Sequence, residues 1–303
     1  MTTADVPEPP AFALGGLLAR YPLTSFFVMA FAFSWIAWSP WFLSTDGAGL
    51  LPYSNPLINS FVLPVGILLG PSLSAFIMTG GTEGRAGIRR LLRRIVLWRV
   101  GLRSYVFALV GVPVVMALGT AIVPGGIASL LALGPRYVPT YLIWFFIVAI
   151  IGGPLLEEPG WRGFALPRLQ PRYGPLVGTL ILGLLWALWH LPEFLVPAWA
   201  KSSGGSSFLD IVKFVLIAIA IAIVMTWVFN NTKGSVLMAI LVHASIDTFS
   251  MPIATLFRPS DMATSMLVSF GALALVLVGL TRGRLGYKHY RQEEQPGPAM
   301  APS

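Results

Sequence analysis

The chain has 303 residues, of which 56% are hydrophobic and 11% charged, with 20 Lys and Arg against 12 Asp and Glu and no cysteine. Its mean hydropathy is +0.78, and ordinary soluble domains carry about 25% charged residues. This composition excludes a soluble globular domain, and the missing cysteine excludes disulfides, thiolate catalysis and cysteine-ligated metals. The net charge of +8 predicts no nucleic-acid partner, because the basic residues lie in loops beside apolar blocks.

The apolar blocks predict an all-α, polytopic membrane protein with about eight transmembrane helices, because each block approaches the length needed to cross the hydrocarbon. The predicted spans are 24–44, 57–80, 104–123, 139–156 or longer, 175–192, 209–229, 235–257 and 262–280. Sixteen of the twenty basic residues fall on one side of this arrangement. The positive-inside rule therefore predicts that both termini lie in the cytoplasm.

Three regions follow from this pattern. They are a cytoplasmic N-terminal segment (1–23), a transmembrane domain (24–280) with a catalytic core at about 140–250, and a basic, then disordered, cytoplasmic tail (281–303) whose disorder begins after Tyr290. Residues 85–103 carry Arg at helical spacing, which predicts an amphipathic helix that lies against anionic lipid headgroups. An Arg-rich chain without an organellar targeting segment is expected in the cell membrane, in particular a bacterial plasma membrane.

Ionisable side chains inside a membrane are costly, so each one indicates a role. His190 and His243 fall within predicted spans, Asp247 lies in the same span as His243, and Glu157 and Glu158 end an apolar run. Taken singly, each can be a structural group bonded to a neighbouring helix. Two histidines and three carboxylates on three spans together predict a functional site.

The spacing of these residues suggests a division of roles. His243 and Asp247 are four residues apart, so they share one face of a helix. Glu158 precedes Arg162 by four residues, the orientation that favours an ion pair. Glu157 points about 100° away around the helix, so Glu158–Arg162 is predicted to support the site while Glu157 faces the reaction. A superficial Glu158–Arg162 pair is the alternative.

Depth in the membrane constrains this site. If the fourth span ended at Leu156, Glu157 would lie at the inner surface, about 22 Å from His190. One helix from about 141 to 170 is about 45 Å long, crosses the whole bilayer, and brings Glu157 to the depth of His190 and Asp247. We therefore expect such a helix, kinked at Pro159, with Glu157 inside the membrane.

Three segments resemble the motifs of the CPBP family, the CAAX-protease and bacteriocin-processing (Abi) membrane proteins. They are EEPGWRGFALPRLQ, WALWHLPEF and HASID. The family motifs are Glu-Glu-x-x-x-Arg, aromatic-x-x-x-His, and His-x-x-x-Asn or a similar polar residue. Here they read Glu157-Glu158-x-x-x-Arg162, Trp186-x-x-x-His190 and His243-x-x-x-Asp247, and the resemblance covers roughly 140–250. Trp186 stands where Phe is usual, which predicts a mild change in packing.

The resemblance implies an eight-helix intramembrane endopeptidase that acts on peptide or protein substrates, membrane-anchored ones included. We favour a mechanism that needs no cofactor. In that picture Glu157 and His190 activate a water molecule, while His243 and the residue at 247 stabilise the oxyanion. Position 247 is Asp rather than the usual Asn, and an ionised carboxylate cannot donate a hydrogen bond. Asp247 must therefore either carry a proton or orient His243.

Three alternatives remain open at the level of sequence. A catalytic zinc ion bound by His190, His243 and Glu157 would suit the same residues, because two histidines and a carboxylate with an open position form a familiar zinc site. A transporter or proton relay would also use buried ionisable groups. A non-catalytic member would act in immunity or as a scaffold.

Overall fold

The computed structural model describes residues 14–294, and every regular element in that range is helical, which confirms the all-α fold class. The α-helices are, in chain order, α1 (Leu14–Arg20), α2 (Pro22–Phe42), α3 (Pro56–Ile67), α4 (Ser74–Ile95), α5 (Leu102–Val106), α6 (Val112–Ala121), α7 (Gly126–Leu133), α8 (Tyr137–Ile151), α9 (Pro154–Gly160), α10 (Leu166–Tyr173), α11 (Pro175–Trp189), α12 (Pro197–Ser202), α13 (Phe208–Asn231), α14 (Val236–Leu256), α15 (Pro259–Thr281) and α16 (Tyr287–Glu294). Turns of π-helix join α3 to α4 (Leu68–Leu73), α5 to α6 (Phe107–Gly111) and α9 to α10 (Trp161–Ala165), and a 3-10 turn (Leu191–Leu195) follows α11.

Several helices are long and apolar enough to cross a membrane, so the chain is a multi-pass membrane protein. Within the described part of the chain there are six: Pro22–Phe42, Ser60–Ile95, Leu102–Ala121, Pro175–Leu195, Phe208–Asn231 and Pro259–Thr281. The pair α7 and α8 would make a seventh, but the two helices meet at 87°. The predicted seventh span corresponds to a shorter apolar helix, Val236–Pro252. Six or seven spans are therefore supported, against the eight predicted.

The predicted continuous helix over 141–170 is wrong. Helix α8 ends at Ile151, and α9 begins at Pro154. Gly153 between them has φ +121°, a conformation that glycine adopts readily and other residues rarely do. Pro154 begins α9, and proline suits the first position of a helix because the N–H of that position has no partner within the helix. Glu157 consequently lies in the first turn of a new helix, where its N–H donates to the Gly153 carbonyl at 2.8 Å.

The predicted amphipathic helix over 85–103 is shorter than expected. Helix α4 runs through this region with a break at Gly84 (φ 61°, ψ −156°) and ends at Ile95. After the break, Leu91 is buried while Arg89 and Arg93 are exposed, so the segment is amphipathic where it is helical. A non-helical connection then leads to α5.

The two termini are only partly described. The tail was expected to become disordered after Tyr290, yet α16 continues to Glu294 and Tyr290 is buried. Residues 295–303 of the predicted disordered tail and residues 1–13 of the predicted N-terminal segment lie outside the described range.

Three polar contacts hold in place the helices that supply the residues of the candidate active site. Helix α14 is tied to α8, since the hydroxyls of Tyr141 and Ser245 lie 2.7 Å apart and Tyr137 donates to the Thr248 carbonyl at 3.1 Å. Ser72, in the first π-turn, donates to the carbonyl of Leu156 in α9 at 2.6 Å. Helix α13 packs between α11 and α15, so α9, α11 and α14 are each held by a neighbour.

Candidate active site

Glu157 is a buried carboxylate that is held through only one of its oxygens. Its side chain is supplied by the first turn of α9 and the residue is 5% exposed. The indole Nε1 of Trp186, on α11, donates to Oε2 of Glu157 at 2.8 Å. Within the described residues no donor contacts Oε1, which lies beside Gly153. One carboxylate oxygen is therefore fixed and the other is free to bind a reactant.

Glu158 connects two parts of the site. Its Oε1 accepts from Arg162 Nη1 at 2.9 Å and from His243 Nδ1 at 2.8 Å. The side chains of Glu158 and Arg162 are completely buried, so the predicted support pair is not superficial. The Arg162 guanidinium also lies 4.7 Å from the centre of the Trp186 ring, a cation–π contact. The predicted ion pair thus extends to His243 on α14.

His190 follows the last residue of α11 and keeps one ring nitrogen available. Its Nδ1 is 2.8 Å from the carbonyl oxygen of Trp186, and because a carbonyl only accepts, Nδ1 must carry the proton. The neutral ring then has Nε2 as an acceptor. Aromatic rings of Trp189, Trp199 and Phe214 surround the imidazole at 4.7–6.0 Å between ring centres. They fix its orientation.

Asp247 lies one helical turn after His243 on α14, as the spacing predicts. Its Oδ2 is 3.6 Å from His243 Nε2, which is longer than a hydrogen bond. The Asp247 side chain is 35% exposed, against 8% for that of His243. His243 is therefore bonded to Glu158 on one side and faces Asp247 on the other.

All four predicted catalytic residues line one cavity of about 420 Å³. Glu157, His190, His243 and Asp247 form its polar wall together with Trp186. Apolar side chains also line it, among them Ile217, Ile221, Ile246, Met251, Met262 and Met266. The arrangement brings a carboxylate and a basic imidazole nitrogen to a space that can admit water and an extended peptide.

Two residues of this site were not anticipated. Trp186 was expected to change only the packing, and that expectation is wrong because a Phe could not donate to Glu157. Glu193 lines the same cavity, is 2% exposed, and makes no side-chain hydrogen bond to the described residues. One sequence feature could have identified Glu193 as a site residue: it is acidic and lies three positions after His190, at the end of a predicted span.

The zinc alternative requires His190, His243 and Glu157 to lie close enough together to hold one ion. No group of three or more His, Asp or Glu side chains in residues 14–294 is spaced to hold a metal ion. His190 and His243 each use Nδ1 for a hydrogen bond inside the protein, an arrangement that is also usual for metal-ligating histidines, so Nε2 is the open nitrogen of each ring.

Comparison with known proteins gives a consistent result. Residues 139–249 match the family model of the type II CAAX prenyl endopeptidases, described as Rce1-like. This match supports the resemblance to the CAAX-protease (CPBP) family that the three motifs carry. Over 92 residues the chain is 32% identical to CAAX prenyl protease 2 of Methanococcus maripaludis, a segment that covers 30% of this chain and 34% of that protein. The chain therefore matches about a third of its relative's length, and the region that matches the family model contains all three motifs.

Glu158→Ala should destabilise the protein strongly. It leaves the buried Arg162 without a counter-charge, and breaking a buried ion pair costs about 3–5 kcal/mol. Thermal unfolding of the purified protein in detergent measures the loss. A matched control is Asp261→Ala, which breaks an ion pair to Arg258, whose side chain is 79% exposed, and such pairs contribute about 0.2–1 kcal/mol. Equal unfolding temperatures for both variants would contradict this assignment.

Proposed function

We propose that the chain is an intramembrane endopeptidase that hydrolyses a peptide bond with a water molecule activated by Glu157 and His190. The observation that best supports this is the arrangement of Glu157, with one oxygen held by Trp186 and the other free beside the cavity. The similarity to CAAX prenyl endopeptidases supports a peptide or protein substrate. The proposed location is the cell membrane, with both termini in the cytoplasm.

The first step is attack by water. The Glu157 carboxylate takes a proton from the water as general base. His190 Nε2 accepts the second water proton in a hydrogen bond, since Nδ1 already donates to the Trp186 carbonyl. The water oxygen then bonds to the carbonyl carbon of the substrate. The product of this step is a tetrahedral intermediate with an oxyanion.

The second step is collapse of this intermediate. His243, protonated beside Glu158, donates to the oxyanion through Nε2. Asp247 adds a second donor only when it carries a proton. The neutral Glu157 carboxyl then returns its proton to the amide nitrogen, the C–N bond breaks, and a carboxylic acid and an amine leave. Protons balance because one water proton moves through Glu157 to the amine nitrogen, and the other stays on the new carboxyl group until that group ionises in water.

Glu157→Gln should abolish cleavage without loss of folded protein, because the amide keeps the shape of the side chain but cannot accept the proton. Cleavage of a peptide library by purified full-length protein in detergent measures this. Asp261→Asn, outside the cavity, should cleave like the wild type. Residual cleavage near the wild-type rate in Glu157→Gln would exclude Glu157 as the base. A wild type that binds peptides or moves protons without cleaving them would favour the scaffold or proton-relay alternative.

Trp186→Phe should lower kcat and change KM little, because it removes the donor that fixes Glu157. A hydrogen bond to a charged group contributes about 1.5–3 kcal/mol, which corresponds to a loss of roughly tenfold to a hundredfold. The matched control is Trp189→Phe, since the buried Trp189 Nε1 has no hydrogen-bond partner among the described residues. If the two variants lose activity equally, the effect is packing and not the hydrogen bond to Glu157.

Asp247→Asn separates the metal-free mechanism from the zinc alternative. An amide donates a hydrogen bond without needing a proton, so in the metal-free mechanism this variant should keep or exceed wild-type activity. Changing a residue that supports a metal ligand typically lowers metal affinity or activity by about 10–100-fold. Activity is measured with and without a chelator. A chelator-sensitive wild type together with an Asn variant that zinc restores would replace the metal-free mechanism and leave the peptidase assignment standing.

A further inference from the structure

Glu193 is a buried carboxylate that has no part in the mechanism proposed above. It lies in the 3-10 turn after α11, is 2% exposed, and lines the cavity that contains Glu157 and His190. Its Oε2 atom has no hydrogen-bond partner within residues 14–294, and no Lys or Arg in that range pairs with it. A buried carboxylate without a counter-charge is destabilising. Its position in a cavity wall therefore indicates that a ligand supplies the missing charge.

The turn that carries Glu193 places its side chain beside His190. The Glu193 N–H donates to the His190 carbonyl at 2.9 Å, which is the i to i+3 bond of a 3-10 turn. Such a turn has three residues per revolution, so side chains three positions apart lie on the same face. A group bound by Glu193 would therefore lie next to the imidazole that we assign to water activation. This position is one that a substrate occupies, close to the bond that is cleaved.

The charge of the cavity wall favours a cationic ligand. Among the described residues that line the cavity, three are acidic (Glu157, Glu193 and Asp247) and none is Lys or Arg. His243 is bonded to Glu158 and faces Asp247, so its charge compensates those two carboxylates rather than Glu193. Charges interact more strongly in a space of low dielectric constant than in water. A cation that enters the cavity would therefore be stabilised by Glu193.

Two aromatic rings of the same cavity add to this preference. Trp199 and Phe214 line the wall and lie 5.7 Å apart between ring centres, and both contact the His190 ring. The face of an aromatic ring attracts ammonium and guanidinium groups, and tryptophan does so best. Such rings also pack against the methylene stem of a long basic side chain. A carboxylate and two rings around one space thus suit a lysine or arginine side chain.

We propose that Glu193 binds the cationic side chain of a Lys or Arg residue that lies next to the cleaved bond of the peptide substrate. An ammonium or guanidinium group only donates hydrogen bonds and a carboxylate only accepts them, so the pair forms charge-assisted hydrogen bonds. Trp199 and Phe214 contact the stem of the same side chain. Glu193 then sets specificity and touches none of the reacting atoms. The inference rests on the proposed function in that it takes the ligand to be a peptide.

The test uses pairs of peptides that are blocked at both ends and differ only by lysine against norleucine, which has the same stem without the charge. The pairs place this residue at each position around the cleaved bond. Full-length wild-type protein in detergent should cleave the best lysine peptide with a kcat/KM at least about tenfold higher than its partner, because a hydrogen bond between charged groups is lost. The difference should lie in KM, since the contact is made equally in the ground state and the transition state.

Glu193→Gln should bring the lysine-to-norleucine ratio of kcat/KM close to one, whatever the overall rate of the variant. The matched control is Asp261→Asn, an acid outside the cavity, which should keep the wild-type ratio. Asp247→Asn should also keep it, although Asp247 lies in the same wall. A ratio that is unchanged in Glu193→Gln, or that falls equally in Asp247→Asn, would overturn the assignment to Glu193. A preference seen only with unblocked peptides would overturn the side chain as the ligand and point to the terminal amine.

Folding is checked by thermal unfolding of the same preparations. Glu193→Gln should unfold at the wild-type temperature or above it, because it removes an uncompensated buried charge. If this variant does not fold, Glu193→Asp replaces it. That change withdraws the carboxylate by one methylene and should lower the ratio, and an unchanged ratio would count against the proposal.

Peptide binding separates failure of this inference from failure of the peptidase assignment. Calorimetric titration of the lysine and norleucine peptides is carried out on Glu157→Gln and on Glu157→Gln/Glu193→Gln. Tighter binding of the lysine peptide that needs Glu193 would support the inference even if the wild type cleaved no peptide, and only the peptidase assignment would fail. Cleavage and binding that do not distinguish lysine from norleucine would overturn the inference and leave the peptidase assignment standing.

Discussion

One oxygen atom, Oε1 of Glu158, joins the parts of the candidate active site. It accepts from Arg162 on its own helical run and from His243 on α14. Helices in a membrane gain little from hydrophobic contact with each other, because lipid is as apolar as their side chains. Buried charge supplies the specificity instead, since separating either donor from Glu158 leaves an uncompensated group. The distance between α9 and α14 is therefore set by electrostatics.

Trp186 performs a comparable task for the two residues that we assign to water activation. Its indole N–H holds Glu157, and its backbone carbonyl holds Nδ1 of His190. The two groups are thus positioned by one residue on α11, which also contacts the Arg162 guanidinium. Catalytic groups need to be held to within a fraction of an ångström. A single rigid residue that contacts both of them is a direct way to achieve this.

The sequence predicted those features that depend on helical periodicity. The Glu158–Arg162 pair and the shared face of His243 and Asp247 follow from a spacing of four residues. The break at Gly153 was not predicted, although Gly-Gly-Pro is a clear local signal, because the depth argument required a continuous helix. The bend between α7 and α8 was missed because hydropathy measures length and not direction. Contacts of Trp186 depend on how α11 is rotated against α9, which no local pattern specifies.

The burial of Glu193 bears on whether the cavity contains water. A buried carboxylate without protein donors is costly, and Glu193 lines the same cavity as Glu157 and His190. Buried water occupies spaces that offer room and two to four polar partners. A cavity of about 420 Å³ with three carboxylates and two imidazoles in its wall meets both conditions. Glu193, which has no side-chain hydrogen bond among the described residues, thus favours hydration of the cavity, and hydrolysis inside a membrane requires that water reach Glu157.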